Sequence, residues 1–150
     1  MSGTLKGRFR PKNPNKYRGD IRMIEYRSSW ELKFMNYCDL NESIEQWQSE
    51  EKAIWYWNPV QKKKCRYFPD FIIAYKRKDG IMVKEMIEIK PKKQVDGPPT
   101  NPKRRTKAWA NAVMTYAVNM AKWEAAREYC EDRGMNFRII TEKELGITYK

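Results

Sequence analysis

The segment from residue 68 to residue 90, FPDFIIAYKRKDGIMVKEMIEIK, decides the fold because it reads as two strands joined by a tight turn. Residues 68–76 and 82–90 are rich in the aromatic and β-branched side chains that favour strands. Between them, Asp79-Gly80 is a strong local signal for a hairpin. The segment therefore predicts an antiparallel pair of strands.

The length of the hairpin loop sets which residues face each other. A three-residue loop over residues 78–80 places Arg77 opposite Ile81 and, counting back, Asp70 opposite Glu88. A two-residue loop is the alternative, and a one-residue slip would send the two carboxylates to opposite faces. We adopt the three-residue register because it brings both acids to one place.

In this register the second strand also presents an amine beside the acids. Side chains alternate along a strand, so Glu88 and Lys90 share one face while Ile87 and Ile89 point the other way. Two carboxylates supply the hard oxygen ligands that magnesium and manganese prefer. Lys90 is placed to orient a water or to stabilise charge on a phosphate. A solvated strand face with alternating charges is the competing interpretation.

At this point the motif resembles a known family. Pro69-Asp70 followed by Glu88-Ile89-Lys90 is similar to the signature of the PD-(D/E)xK nuclease superfamily. The resemblance implies an α/β (α+β mixed sheet) fold with a restriction-endonuclease-like core, in which helices flank a central mixed sheet. It implies that Asp70 and Glu88 bind Mg²⁺ (Mn²⁺ substituting), that the Ile89 backbone carbonyl faces the metal, and that Lys90 assists the attacking water.

A helix that begins near Ser28 carries a third acidic candidate, Glu31. Ser28-Ser29-Trp30-Glu31 has the pattern of a capping box, in which Glu31 reaches back to the amide of Ser28. In the resembled family a glutamate of the first helix joins the metal site, and Glu31 occupies the matching place. Both roles stay open. The apolar positions Trp30, Phe34, Tyr37 and Cys38 predict the buried stripe of this helix.

The order of elements over residues 26–146 is most similar to the branch of the superfamily that contains the Tn7-type end-cleaving endonuclease. Residues 1–14, MSGTLKGRFRPKNP, together with the chain length resemble the head-completion nucleases of T-even-type tailed phages. This implies a DNA endonuclease that acts after DNA packaging and before head–tail joining. The alternative is a non-catalytic structural head-completion protein that binds DNA on a nuclease fold.

The same resemblance supplies expectations about partners and location. Double-stranded DNA is the expected substrate, and phage portal or neck proteins are further candidate partners. The expected location is the host cell cytoplasm during assembly, with association with the virion as a second option. The oligomeric state is left open.

Composition limits the function classes. The chain has 150 residues, 41% of them hydrophobic, which fits a single nuclease domain at residues 21–150 behind a basic, flexible arm at residues 1–20. With no histidine, Ser-His-Asp hydrolases and histidine-dependent nucleases are excluded. Three dispersed cysteines argue against a zinc ribbon or a disulfide framework. No apolar run is long enough for a membrane span.

The net charge of +12 is concentrated in clusters that flank the predicted site in sequence. Such clusters favour contact with DNA phosphates, which brings affinity and salt dependence but no base specificity. General solubilising charge is the alternative. The predicted DNA contacts are Arg8, Arg10, Lys12, Lys62, Lys63, Lys64, Lys92, Lys93, Lys103, Arg104 and Arg105.

The rest of the chain gives a coarse outline. We expect strands at residues 44–48, 53–57 and 136–140, a long loop at 91–107, and a long helix at 108–133. The aromatic run at residues 55–57 predicts a strand buried on both faces, with base stacking as the alternative. On the long helix, a 4-3-4-3 spacing predicts a core-facing stripe formed by Trp109, Val113, Tyr116, Met120, Trp123 and Cys130.

Overall fold

The computed structural model describes residues 5–146 and consists of a mixed sheet with helices on both faces. The N-terminal elements are β1 (Gly7–Arg8), two short 3₁₀ turns (Pro14–Lys16 and Ile21–Met23), β2 (Glu25–Tyr26), α1 (Ser29–Leu40) and β3 (Ile44–Ser49). Next come β4 (Ile54–Asn58), β5 (Lys63–Tyr67), β6 (Phe71–Lys76) and β7 (Met82–Ile89). The chain continues with α2 (Lys92–Asp96), α3 (Lys107–Asp132), β8 (Asn136–Ile140) and α4 (Glu142–Leu145).

The central sheet has the order β3-β6-β7-β8. The first three strands are antiparallel neighbours, and β8 adds parallel to β7 after the α3 crossover. A parallel neighbour requires such a crossover, because a tight turn cannot return the chain in the same direction. The mixed sheet confirms the predicted fold class.

The hairpin between β6 and β7 has the predicted register. Its residue pairs run from Phe71 opposite Ile87 to Lys76 opposite Met82. The loop is closed by the N–H of Arg77, which donates to the Ile81 carbonyl at 2.8 Å. Gly80 has φ +87°, a left-handed conformation that glycine adopts without a Cβ clash. The three-residue loop is thus confirmed, and the two-residue alternative is wrong.

The two faces of the sheet bury separate hydrophobic clusters. On one face, α1 packs over Ile87 and Ile89 of β7, with Trp30, Phe34 and Met35 of the helix fully or nearly buried. On the other face, α3 packs over Met86 through Trp123, Ala126 and Cys130. Alternate residues of β7 therefore enter different cores, as the alternation argument predicts, and Glu88 lies on the α3 side with Met86.

Strands β4 and β5 form a separate two-stranded antiparallel ribbon that packs on α3. The inward residues Ile54, Tyr56 and Tyr67 are buried, whereas Trp55 and Trp57 are 65% and 57% exposed. The prediction that this strand is buried on both faces is wrong. A two-stranded ribbon covered by one helix has a second face open to solvent.

Most of the predicted N-terminal arm packs against the domain. Phe9 and Tyr17 are buried in the core beside α1, and Tyr17 stacks edge-on against Trp47 at 4.7 Å between ring centroids. Buried Asp39 accepts hydrogen bonds from the backbone N–H groups of Lys12 (2.8 Å) and Asn13 (3.0 Å). Residues 1–4 of the arm and 147–150 of the predicted domain lie outside the described residues. Flexibility of the arm in solution stays a prediction.

Three details of the helices differ from the sequence predictions. On α1, Tyr37 is 51% exposed, and Met35 is buried in its place. The predicted loop after β7 contains the short helix α2. On α3, Trp123 and Cys130 are buried as expected, but Val113 and Met120 are 38% and 39% exposed. The helix has 26 residues, about 39 Å at 1.5 Å per residue, so its first half extends beyond the sheet that it covers.

Gly134 has φ +66° and ends α3, and the capping box of Thr141 and Glu144 begins α4, both as predicted. No helix within residues 5–146 is both long and apolar enough to cross a bilayer.

Candidate active site

Asp70 and Glu88 meet at the end of the β6–β7 hairpin. Phe71 pairs with Ile87, so the next residues in the same register, Asp70 and Glu88, lie opposite each other. The Ile89 N–H donates to Oδ2 of Asp70 at 2.7 Å, which fixes this carboxylate against the neighbouring strand. The two predicted acids are therefore brought together by the register that Asp79-Gly80 sets.

Glu88 is held by groups from two other elements. Its carboxylate is 5% exposed, and its Oε1 accepts a 2.8 Å hydrogen bond from the Tyr67 hydroxyl of β5. Its Oε2 lies 3.5 Å from the Trp123 Nε1 donor of α3. Burial and the adjacent Glu88 carboxylate raise the pKa of the Tyr67 phenol far above its usual value, so this hydroxyl stays protonated and donates.

Lys90 joins the same cluster at the end of β7. Its Nζ lies 3.9 Å from Oε2 of Glu88, and its side chain is 27% exposed. The backbone N–H of Lys90 donates to the Ile140 carbonyl of β8 at 3.0 Å, which anchors the position from the parallel side of the sheet. A partly exposed ammonium group thus lies beside Glu88, where it can contact a phosphate.

The electrostatics of Asp70 show crowding of negative charge. Burial, followed by the neighbouring Glu88 carboxylate, raises the pKa of Asp70 well above its usual value of 3.8. Glu31 raises it further, whereas the Ile89 N–H and Lys90 lower it. Like charges held this close are unfavourable unless a cation or a proton compensates them. The site therefore favours binding of a cation.

Glu31 caps α1 and also lies within electrostatic reach of Asp70. Its Oε1 accepts from the N–H of Arg27 at 3.3 Å, so the predicted bond to the Ser28 amide is replaced by one to the preceding residue. The Ser28 hydroxyl completes the cap by accepting from the Glu31 N–H at 3.1 Å. Burial raises the pKa of Glu31 above its usual value. Its participation in a metal site stays a prediction.

The donor set fits a hard divalent cation. Asp70 and Glu88 supply carboxylate oxygens, and the Ile89 carbonyl is the third predicted ligand. Within residues 5–146, no group of three or more histidine, cysteine, aspartate or glutamate side chains is arranged to hold an ion. The protein part of the site is thus a two-carboxylate set. Magnesium tolerates so few protein ligands because it retains several waters and phosphate oxygens.

The predicted DNA contacts are mostly exposed but are not all free. Lys92 is half-buried, and its ammonium pairs with Asp96 at 2.6 Å. Arg8 donates to the Arg22 carbonyl at 2.7 Å, and Arg105 lies 5.6 Å from the Trp109 ring centroid. The remaining predicted contacts have exposed side chains: Arg10, Lys12, Lys62, Lys63, Lys64, Lys93, Lys103 and Arg104.

Tyr67 and Trp123 were missed as site residues. Trp123 was assigned to the core because of its helical spacing, and Tyr67 lies three positions before Asp70 without any motif of its own. Both reach Glu88 only through the packing of the β4–β5 ribbon and α3 on the sheet. No pattern in the sequence links these elements.

A helix-flanked mixed sheet that brings together an aspartate and a Glu-x-Lys from adjacent strands defines a nuclease of the PD-(D/E)xK type. Residues 41–142 match the family described as TnsA-like endonuclease N terminal, so the chain belongs to this family and is an endonuclease. It is also similar to the "Head completion nuclease" of Enterobacteria phage T4, with 43% identity over 140 residues. That alignment covers 91% of this chain and 90% of the relative. Both family resemblances are thereby confirmed.

Proposed function

We propose that this endonuclease hydrolyses phosphodiester bonds in DNA with Mg²⁺ as its metal, Mn²⁺ being able to substitute. The observation that carries the proposal is that Asp70 lies opposite Glu88, whose Oε2 is 3.9 Å from the Nζ of Lys90. A divalent ion held by these oxygens supplies Lewis-acid polarisation of a phosphate. Asp70, Glu88 and the Ile89 carbonyl are its proposed ligands.

The chain's own residues have distinct tasks around that ion. The Tyr67 hydroxyl fixes Oε1 of Glu88, and the Ile89 N–H fixes Oδ2 of Asp70, so both carboxylates are held in place for a metal ion. Lys90 holds positive charge beside them, where it can orient the attacking water or stabilise the negative charge that develops on the phosphate. Because Glu88 is buried and Asp70 is half-buried, these interactions are stronger than they would be in bulk water.

The biological setting that we propose is phage head completion, after DNA packaging and before head–tail joining. The name of the T4 relative and the extent of the alignment support this setting. Portal or neck proteins are proposed docking partners, the host cytoplasm is the proposed site of action, and association with the virion is a further proposal. The family match favours a catalytic protein over the purely structural alternative.

Cleavage of supercoiled plasmid tests the enzymatic part directly. The wild-type protein is incubated with Mg²⁺, Mn²⁺ or EDTA beside a Glu88→Gln variant, which keeps an acceptor for Tyr67 but removes the charge. We expect nicked or linear DNA only with wild type and a divalent metal. Cleavage in EDTA, or equal cleavage by the variant, would refute the assigned metal site.

A further inference from the structure

The β4–β5 ribbon displays two tryptophan rings that nothing in the described chain covers. Trp55 and Trp57 are 65% and 57% exposed, while Tyr56 between them is 7% exposed and faces α3. Tryptophan is highly buried on average in folded proteins. Exposed apolar side chains clustered on one face and bordered by polar groups mark interaction sites.

Each exposed ring has a cation directly across the ribbon. The register places Trp55 opposite Arg66 and Trp57 opposite Lys64, and directly opposite residues share a face. Neither Arg66 nor Lys64 forms an ion pair with a residue that the structure describes. The Arg66 guanidinium lies 5.6 Å from the ring centroid of Phe68, which is 42% exposed. We call these five residues the Trp–basic face.

This face is free of local negative charge. Residues 52–69 contain no aspartate or glutamate. The acids that precede them are engaged elsewhere, since Glu50 pairs with Arg27 at 2.9 Å and Glu51 accepts from the Tyr17 hydroxyl at 2.7 Å. A polyanion is therefore the complementary partner.

One end of the Trp–basic face lies close to the active site along the chain. Tyr67 follows Arg66 in β5 and donates to the Glu88 carboxylate, and Asp70 follows three residues later. Tyr67 lies on the buried face of the ribbon, opposite to Arg66, whereas Phe68 of the Trp–basic face is two residues before Asp70. The Phe68 end of the face therefore lies next to the two acids.

We propose that the Trp–basic face binds unpaired DNA, so that the substrate carries a single-stranded segment beside the bond that is cut; this rests on the proposed function. Aromatic rings stack on unpaired bases of any sequence, while Lys and Arg neutralise the phosphates between them. Two residues along a strand span roughly 6.6 Å, so each tryptophan can take its own base. In a duplex the bases are already stacked on each other, and these rings have no free base face to contact.

Fluorescence anisotropy in EDTA measures binding without cleavage. The probes are a short blunt duplex and the same duplex with a short single-stranded thymine tail, both labelled with fluorescein. We expect wild type to prefer the tailed probe. Trp55→Ala and Trp57→Ala should each lower affinity for the tailed probe about tenfold, in line with the loss of one stacked base, and leave the blunt duplex unchanged.

Matched variants separate stacking from charge and from general surface effects. Trp55→Phe and Trp57→Phe keep an aromatic ring and should restore most of the preference for the tail. Arg66→Ala and Lys64→Ala should weaken binding of the tailed probe and lower its salt slope by about one each. Tyr37→Ala removes an exposed aromatic ring of α1 and should change nothing.

The proposal is overturned if the alanine variants bind the tailed probe as well as wild type, which would leave the face to a protein partner. It is also overturned if they lose affinity equally for blunt and tailed DNA, which would place the rings on duplex. If the proposed function is wrong, wild type will show no metal-dependent cleavage of DNA. Since binding is read in EDTA, the two failures are distinguishable.

Discussion

Replacement of Tyr67 by phenylalanine tests whether the ribbon holds the catalytic carboxylate. The change deletes one hydroxyl and keeps the ring that packs against Tyr56 and Trp123. It leaves Oε1 of Glu88, a carboxylate only 5% exposed, without its 2.8 Å donor. A hydrogen bond to a charged group contributes about 1.5–3 kcal/mol.

Loss of this hydrogen bond should lower both the melting temperature and the activity of the protein. At about 2–4 °C per kcal/mol for a chain of this size, the melting temperature of Tyr67→Phe in EDTA should fall by roughly 3–12 °C. Plasmid cleavage should also weaken, and the Mg²⁺ concentration at half-maximal rate should rise, because loss of a ligand's outer partner costs about 10–100-fold in metal affinity or activity. Differential scanning fluorimetry and a Mg²⁺ titration of the cleavage rate measure these two effects.

Tyr56→Phe is the matched control on the same ribbon. Within residues 5–146, its hydroxyl accepts a hydrogen bond only from the Asn58 side-chain amide, at 3.3 Å, and makes none to Glu88. We expect a small thermal shift and a wild-type Mg²⁺ dependence. If both tyrosine variants melted and cleaved alike, Tyr67 would have no special role in placing Glu88, and the reasoning would be refuted.

Three further predictions concern the acids of the site and of the core. Mg²⁺ at about 100 times its Kd should stabilise wild type by about 2.7 kcal/mol, and a thermal-shift titration should show no such gain for Glu88→Gln. The pKa of Asp70 is raised in the folded protein, so its ionisation destabilises the metal-free fold as pH rises above 3.8. Asp70→Asn should therefore unfold at a higher urea concentration than wild type in EDTA. The difference between the two urea midpoints should grow as pH rises above 3.8. A difference that shrinks as pH rises would contradict the assignment. Asp39→Ala removes the acceptor of two backbone N–H groups and should cost about 3 kcal/mol or more in urea unfolding, whereas exposed Glu42→Ala should stay within about 0.5 kcal/mol.

The hairpin register could be predicted because its determinants are local. Asp79-Gly80 specifies a turn, Gly80 takes the left-handed position, and alternation then fixes the faces of Asp70 and Glu88. The identity of the motif acids and the position of Lys90 follow from the same short segment. Local chemistry was sufficient for this part of the site.

The environment of the motif could not be predicted, because it depends on contacts between distant segments. Three adjacent aromatics give no polar alternation, so the run at residues 55–57 could not reveal that one face is open. Phe9 and Tyr17 lie in a stretch rich in glycine and proline without periodicity, yet both enter the core. The helical stripe of α3 is regular over its whole length, although only its second half meets the sheet.

The parallel pairing of β8 with β7 has a consequence for synthesis of the chain. Lys90 is fixed by the carbonyl of Ile140, fifty residues later, and Trp123 of the intervening helix contacts Glu88. Until the ribosome has added that last strand, the edge of β7 that faces away from β6 stays unpaired, and the hairpin lacks the support of β8. A nascent or prematurely terminated chain thus carries every motif residue but no assembled nuclease centre.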